Sequence, residues 1–262
     1  MNPSFKDHFS AGAADYARWR PGYPRRLASL LAGLAPSRQL ALDCGCGAGQ
    51  LSTLLAQEFR QVVATDASQA QIAHAQAHPR VLYRTARAEH SGLADASADL
   101  VTAAQAAHWF DLDAFYAEAR RVLRPRGCVA LVSYGLPRLD GVPGQLLLDL
   151  HDRVLGPYWP AERRLVVGAY RDLPFPFDPL PQPALDMRVD WSLPDLLGYV
   201  GTWSALRPAQ AALGQAPIEA FARAMRDAWG EANARRAVGW PLTVLAGRVD
   251  SPRPGARYAE RT

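Results

Sequence analysis

A glycine-rich turn between a short apolar strand and an amphipathic stretch constrains this chain more than any other part of its sequence. The predicted strand, residues 40–43, ends on Asp43, and three glycines follow at alternate positions, Gly45, Gly47 and Gly49, before the amphipathic residues 50–59. Glycine has no Cβ, so the backbone can turn sharply and approach a ligand closely. A strand, a glycine loop and a helix in this order predict a nucleotide-type binding site at the carboxyl edge of a sheet.

The spacing of the glycines and acids distinguishes between cofactors. A dinucleotide-binding loop would need a glycine where this chain has Gln50. Asp43 precedes the loop directly, and Asp66 with Ala67 follows the second predicted strand about 20 residues later, where an acid can bind ribose hydroxyls. Asp43 is placed to receive an ammonium group, and the loop amides are placed near a carboxylate. S-adenosylmethionine carries these groups and no pyrophosphate, and it is the cofactor that we predict.

Residues after the third and fourth predicted strands extend this candidate site. Ala88 and Glu89 follow the third strand, where the adenine edge is expected, although a solvated loop acid would also explain Glu89. Gln105 and Ala106 follow the fourth strand, which adjoins the first in an open sheet, so we expect both residues to border the cofactor.

The segment that follows Ala106 carries the candidate for proton transfer. His108 is predicted as an acid or base because imidazole titrates near neutrality, with a structural hydrogen-bonding role as the alternative. Trp109 and Phe110 come next and are predicted to wall a cavity for group transfer.

Strands and helices alternate between residues 39 and 134, which predicts a parallel sheet with helices on both faces. Predicted strands cover residues 40–43, 61–65, 81–85, 99–104 and 128–133, and predicted helices cover 50–59, 67–77 and 112–123. After a proline- and aromatic-rich segment with one helix at 144–155, strands at 186–192 and 238–249 flank helices at 195–205 and 218–229. We predict a single domain (1–262) with an N-terminal lid (1–37), a cofactor-binding core (38–134), a cap insertion (135–185) and late elements that complete the sheet (186–250).

Composition and charge argue against several classes of protein. Apolar residues make up 49% of the 262 residues and charged residues 21%, which is typical of a globular protein with one large core. No apolar run reaches the roughly 18 residues of a membrane helix, and no secretion signal is visible, so we expect a cytoplasmic protein with no membrane partner. The net charge of +4 comes from scattered arginines, and no nucleic-acid partner is predicted. No metal site is predicted, because His74 and His78 have no third ligand nearby.

Several motifs together resemble a known family. They are Tyr-x-x-x-Arg-Pro-x-Tyr-Pro at 16–24, the glycine loop at 42–50, Gln-Ala-x-His-Trp-Phe at 105–110, and the segments 118–125 and 201–204. The chain resembles class I S-adenosylmethionine-dependent methyltransferases, within them the small-molecule branch that includes trans-aconitate methyltransferases. The glycine loop marks the superfamily, and the first and third motifs carry the assignment to the branch.

The resemblance implies an α/β fold: a Rossmann-like, seven-stranded, mostly parallel sheet with helices on both faces and a helical cap insertion. It also implies an N-terminal segment over the cofactor, with Tyr16, Arg20 and Tyr23 lining a lid. We expect the cap and the helix around Trp203 to shape the acceptor pocket. One departure from the family pattern is Arg126, where a glycine usually stands.

The resemblance favours methyl transfer to a small carboxylic acid or related natural product, giving a methyl ester. The protein has to align the nucleophile and exclude water, and a carboxylate needs no base because it is already ionised. An arginine such as Arg20 can steer such an anion. Two alternatives stay open: N- or O-methylation of a heteroaromatic or phenolic metabolite, with His108 as base, and a non-catalytic S-adenosylmethionine-binding protein. A monomer or homodimer is expected.

Overall fold

One mixed sheet runs through the molecule, and its parallel part sets the position of the site. The structure is a computed structural model that describes residues 19–181 and 184–249, so Tyr16 lies outside the described residues. The strands follow the order β3-β2-β1-β4-β5-β8, and both β6 and β7 pair with the outer side of β8. Their bounds are β1 (Leu40–Cys44), β2 (Gln61–Asp66), β3 (Val81–Thr85), β4 (Ala98–Ala104), β5 (Leu123–Tyr134), β6 (Asp178–Pro179), β7 (Leu185–Trp191) and β8 (Arg236–Arg248).

The first five strands are mutually parallel, and β8 runs antiparallel to β5, β6 and β7. This arrangement confirms the predicted α/β fold with a mostly parallel sheet. The described residues contain eight strands where seven were predicted, because the two-residue β6 adds a short edge beside β8.

Helices cover both faces of the sheet, as predicted. They are α1 (Arg25–Leu34), α2 (Gln50–Glu58), α3 (Gln69–Ala73), α4 (Leu112–Val122), α5 (Val142–Asp149), α6 (Arg163–Val167), α7 (Leu193–Gly201), α8 (Leu206–Leu213) and α9 (Ala216–Trp229). Successive side chains of a strand point to opposite faces, and accordingly Ala41 of β1 belongs to one apolar cluster and Leu42 to the other. Leu55 packs in the first cluster and Phe115 in the second, so the two faces have separate cores.

The predicted helix at 67–77 is wrong in its second half, since α3 ends at Ala73. A tertiary contact explains the early end. The backbone N–H of Gln76 donates to the carbonyl of Ala48 in the glycine loop, and the Gln76 carbonyl accepts from the Tyr83 hydroxyl on β3. These bonds hold the segment in an extended path beside the loop.

An irregularity near the start of β5 shows how the chain accommodates Arg126: the pairing with β4 shifts register between Leu123 and Cys128. This residue adopts a left-handed conformation with φ of 66°, which a glycine would adopt without strain. Arg126 therefore has a backbone conformation that favours the glycine usual at this position.

At the opposite edge of the sheet from the glycine loop, Asp99 at the start of β4 is buried and fully hydrogen-bonded. Its carboxylate accepts from the Ser37 hydroxyl at 2.8 Å, from the backbone N–H groups of Gln39 and Leu40, and from Arg124 at 3.1 Å.

Among the described helices, none combines the length and apolar character that a membrane span requires.

Candidate active site

A cavity of about 550 Å³ opens at the carboxyl ends of β1, β2 and β4. Nine of the ten predicted cofactor residues line it: Asp43, Gly45, Gly47, Asp66, Ala67, Ala88, Glu89, Gln105 and Ala106. Tyr23, His108 and Trp109 also belong to its wall. Strand-end loops from separate parts of the sequence therefore meet around one space, within the size range of small-molecule and cofactor sites.

Gly49 does not line the cavity, but its backbone shapes the glycine loop. It has a left-handed φ of 85°, and a Cβ at this position would overlap the Tyr83 hydroxyl. Gly45 has a φ of 64°, and its Cβ would lie 2.5 Å from the Ala106 side chain. The loop thus needs glycine at these two positions so that it can turn and lie against β3 and the end of β4.

Asp43 is a buried carboxylate at the floor of the cavity. Its oxygens accept hydrogen bonds from the Ser52 hydroxyl at 2.6 Å and the Thr102 hydroxyl at 2.8 Å. No basic side chain within 19–181 or 184–249 lies at ion-pair distance from it. Burial raises the pKa of Asp43 from 3.8 to about 6, the two hydroxyls oppose that rise, and nearby Asp66 adds to it. An uncompensated negative charge in this position is suited to an ammonium group.

Asp66 organises the loop as well as lining the cavity. One carboxylate oxygen accepts from the Gly47 backbone N–H at 2.9 Å and the other from the Ser68 backbone N–H at 2.8 Å. These bonds fix the carboxylate at the end of β2. A carboxylate at this position can accept a hydrogen bond from a ribose hydroxyl.

Glu89 is held by its neighbours and is not a solvated loop acid. It is 9% exposed, accepts from the Asp111 backbone N–H at 3.1 Å and pairs with Arg87 at 3.1 Å. The contact to Asp111 connects the loop after β3 to the start of α4.

Gln105 has an unusual backbone and a fixed amide. Its φ is 54°, a left-handed value that non-glycine residues seldom adopt outside special sites. The side-chain NH₂ donates to the Tyr134 carbonyl at 2.8 Å, which determines the orientation of the amide. The other amide atom, Oε1, is buried and has no hydrogen-bond partner in the described part of the chain. Such an oxygen is an acceptor available to a ligand group.

His108 lies in the cavity wall, but its surroundings differ from those expected for a group that titrates near neutrality. Its Nδ1 is 2.9 Å from the Tyr170 hydroxyl. Burial, with the positive charges of Arg163 and Arg20 nearby, lowers the pKa of His108 to about 3. The imidazole is therefore neutral at physiological pH.

A second, smaller cavity of about 40 Å³ adjoins the first. The two share Gln105, His108 and Trp109. The remaining wall of the small cavity consists of Arg20, Trp159, Pro160, Arg163, Trp203 and Ser204. The structure thus brings the predicted substrate residues Arg20, Trp109 and Trp203 together, whereas Tyr23 lines only the large cavity.

The small cavity is rich in hydrogen-bond donors. Trp203 is 3% exposed, and its indole N–H is buried with no acceptor in residues 19–181 and 184–249. The Arg163 guanidinium lies 4.9 Å from the centre of the Trp159 ring, and that of Arg20 lies 5.4 Å from the Tyr199 ring. An indole N–H and two guanidinium groups favour an anionic ligand group.

Sequence reasoning missed four residues of the cap: Trp159, Glu162, Arg163 and Tyr170. Glu162 lines the large cavity, Trp159 and Arg163 line the small one, and Tyr170 contacts His108. The segment that contains Trp159 is rich in proline and aromatic residues, but its sequence does not show which way its side chains face. In the part of the chain that is described, no cluster of three or more His, Cys, Asp or Glu side chains could hold a metal ion.

Comparison with known proteins agrees with this geometry. A family model described as a methyltransferase domain matches residues 42–131. A Dictyostelium discoideum protein named as a methyltransferase is 34% identical over 204 residues, which cover 76% of this chain and 78% of that protein. A solved structure from Anaeromyxobacter dehalogenans, described as a type II methyltransferase, is 46% identical with a TM-score of 0.83 and covers 89% of this chain and 99% of that one.

A further relative is the malonyl-[acyl-carrier protein] O-methyltransferase of Dechloromonas aromatica, which is 38% identical over 120 residues, 42% of this chain and 41% of that protein. The two longer matches span most of both partners, and the family model includes the glycine loop and the acids Asp43 and Asp66. This chain therefore belongs to the class I S-adenosylmethionine-dependent methyltransferases, with S-adenosylmethionine as its cofactor.

Proposed function

We propose that this enzyme transfers a methyl group to the carboxylate of a small-molecule acceptor and forms a methyl ester. The observation that carries the proposal is the donor-rich small cavity with Arg20, Arg163 and Trp203, joined to the large cavity through His108. Arginine matches the geometry of a carboxylate better than any other side chain. The relative from Dechloromonas aromatica is named for O-methyl transfer, which agrees with an oxygen acceptor.

In this proposal the large cavity holds the cofactor, whose sulfonium group supplies an electrophilic methyl. Asp43 binds the ammonium group, Asp66 and Ala67 bind the ribose, and Ala88 with Glu89 borders the adenine. Gly45 and Gly47 allow the loop amides to approach the carboxylate. An uncompensated buried acid, a fixed acid at the end of β2 and a loop with no room for a Cβ at position 45 fit such a group.

The chain's own residues then have three tasks at the acceptor. Arg20 and Arg163 bind and orient the anion, while Trp109, Trp159 and Trp203 exclude water from the reacting groups. A carboxylate requires no deprotonation, which agrees with the low pKa of His108. Alignment of the reacting groups and exclusion of water are the contributions that these residues make in the proposed reaction.

Two finer assignments also belong to this proposal. Placement in the branch that includes trans-aconitate methyltransferases rests on the motifs at 16–24 and 105–110. A lid formed by Tyr16, Arg20 and Tyr23 agrees with the positions of the latter two at the walls of the small and large cavities, respectively.

The test is incubation with methyl-labelled S-adenosylmethionine and a panel of carboxylic acids, phenols and heteroaromatic amines, followed by mild base. A labelled product that releases its methyl group in base is the expected result. A base-stable product would contradict the carboxylate proposal and favour a phenol or amine acceptor.

Substitution of two neighbouring arginines, Arg163 and Arg164, distinguishes the binding of the acceptor anion from the general effect of removing a positive charge. Arg163→Gln is expected to raise the KM for the carboxylate about tenfold or more, because a charge-assisted hydrogen bond is lost, and to leave the Kd of the cofactor unchanged. Arg164→Gln is the matched control, since Arg164 is exposed and lines neither cavity. Equal effects of the two substitutions would contradict the assignment of Arg163.

A further inference from the structure

Tyr170 of the cap reaches His108 from a strained turn. Ala169 and Tyr170 follow α6 with φ values of 54° and 57°, so two consecutive non-glycine residues are left-handed. Such a conformation persists only where the surrounding structure enforces it, and it is typical of functional sites. Here the turn buries Tyr170, which is 2% exposed, and places its hydroxyl 2.9 Å from the His108 Nδ1.

The surroundings of this hydroxyl determine the direction of the contact. The Tyr170 hydroxyl is buried, and its 2.9 Å contact with the His108 Nδ1 has either group as donor, depending on the tautomer of the ring. Its own proton needs an acceptor, and within the described ranges Nδ1 of His108 is the one acceptor that the hydroxyl meets. The reverse arrangement, with the proton on Nδ1, would leave a buried hydroxyl proton without a partner, which native structures avoid.

A neutral imidazole with an unprotonated Nδ1 carries its proton on Nε2. The surroundings keep the ring neutral, since burial and the charges of Arg163 and Arg20 disfavour the imidazolium. Burial also raises the pKa of Tyr170, so the phenol keeps its proton. The ring nitrogen left for a ligand is therefore an N–H donor.

We propose that Tyr170 is a positioning residue that fixes His108 as the Nε2–H tautomer, so that His108 donates a hydrogen bond to the acceptor and does not remove a proton from it. The part that concerns the acceptor rests on the proposed function. When an acceptor carboxylate oxygen forms the new O–C bond, the C–S bond breaks and its electron pair stays on sulfur, so no proton has to move. His108 then completes a donor set with Arg20, Arg163 and Trp203.

The tautomer can be measured directly on the full chain without any acceptor. In protein labelled with ¹⁵N-histidine, long-range proton–nitrogen correlation distinguishes the protonated ring nitrogen from the unprotonated one, and the signals missing in His108→Gln assign the residue. We expect an unprotonated Nδ1 and a protonated Nε2 at neutral pH. A protonated Nδ1 in the unaltered protein would overturn the proposal, and this measurement needs no variant of Tyr170 that folds.

Two Tyr→Phe variants then test the cause. Tyr170→Phe is expected to change the nitrogen shifts of His108 towards a mixture of tautomers and to lower kcat with the carboxylate acceptor by about 3- to 10-fold, the effect of one hydrogen bond. Tyr116→Phe is the matched control, because Tyr116 is equally buried and its hydroxyl donates to the Pro174 carbonyl at 2.6 Å. Unchanged shifts in Tyr170→Phe, or equal changes in both variants, would refute the role of Tyr170.

The outcomes separate this proposal from the proposed function. An Nε2–H signal together with a base-stable product would support the proposed tautomer of His108 and contradict the carboxylate acceptor. A protonated Nδ1 together with a base-labile product would contradict the tautomer and support the carboxylate acceptor.

Discussion

Asp43→Asn is expected to stabilise the protein without cofactor while it weakens cofactor binding. The substitution removes a buried charge, and an amide can still hydrogen-bond to the hydroxyls of Ser52 and Thr102. Burial is the largest cause of the rise in the pKa of Asp43 from 3.8 to about 6. At about 1.4 kcal/mol per pKa unit, this rise corresponds to a cost of up to about 3 kcal/mol for holding the charge in the folded protein at neutral pH.

The sign of the pH dependence follows from the raised pKa. Between pH 3.8 and about 6 the folded protein retains a proton on Asp43 that the unfolded chain has released. The contribution of Asp43 to the free energy of unfolding therefore falls as the pH rises through this window. Urea unfolding of the unaltered protein and of Asp43→Asn should show nearly equal stabilities below pH 4. Above pH 6 the variant should be more stable, by up to about 3 kcal/mol.

Titration calorimetry with S-adenosylmethionine supplies the second half of the test. Loss of a charge-assisted contact to the ammonium group should weaken binding at least about tenfold. Asp99→Asn is the control: its carboxylate is also buried but accepts from Arg124 and from backbone N–H groups at the far edge of the sheet. This variant should lose about 2 kcal/mol of stability and bind the cofactor normally. If Asp43→Asn were less stable than the unaltered protein at pH 7.5, or bound the cofactor equally well, our reasoning would be refuted.

Three further substitutions test the scaffold by urea unfolding. Gly49→Ala should destabilise by about 2 kcal/mol or more, because the residue is left-handed and its Cβ would overlap the Tyr83 hydroxyl. Glu118→Gln should lower the free energy of unfolding by about 2 kcal/mol at neutral pH. Hydrogen bonds from Arg121 and Ser91 outweigh the effect of burial and lower the pKa of Glu118 to about 2. The stabilisation by the ionised carboxylate is therefore present above pH 4.5 and disappears as the pH falls towards 2. Arg126→Gly should stabilise by up to about 1 kcal/mol, since it relieves a φ of 66° at an exposed position.

Each of these three has an outcome that would contradict it. For the glycine loop, Gly22→Ala is the control, because a Cβ there meets nothing within 4 Å, and an equal loss in both variants would argue against a specific overlap at Gly49. A difference in stability between the unaltered protein and Glu118→Gln that persisted at pH 2 would contradict the electrostatic explanation. A loss of stability in Arg126→Gly would show that the arginine side chain contributes more than the backbone strain costs.

The cofactor half of the site could be predicted from the sequence because its determinants are local. Asp43 and Asp66 each lie at the end of a strand, and the order of strands in a parallel sheet brings such ends to one edge. Gly45 and Gly49 indicate the loop because left-handed backbone and close approach both require glycine. The spacing of these residues is therefore enough to predict the cofactor.

The acceptor half was decided by tertiary structure. Arg163 and Tyr170 belong to a proline- and aromatic-rich cap whose path depends on contacts distant in sequence, among them the bond between Tyr170 and His108. His108 illustrates the difference most clearly. Its residue type predicts titration near neutrality, whereas burial and two neighbouring arginines lower its pKa to about 3. The sequence alone thus determined the sheet, the glycine loop and the cofactor, because these follow from short-range patterns. The charge state of His108 and the set of donors in the small cavity were decided only by the tertiary structure, because they depend on which distant side chains fold around them.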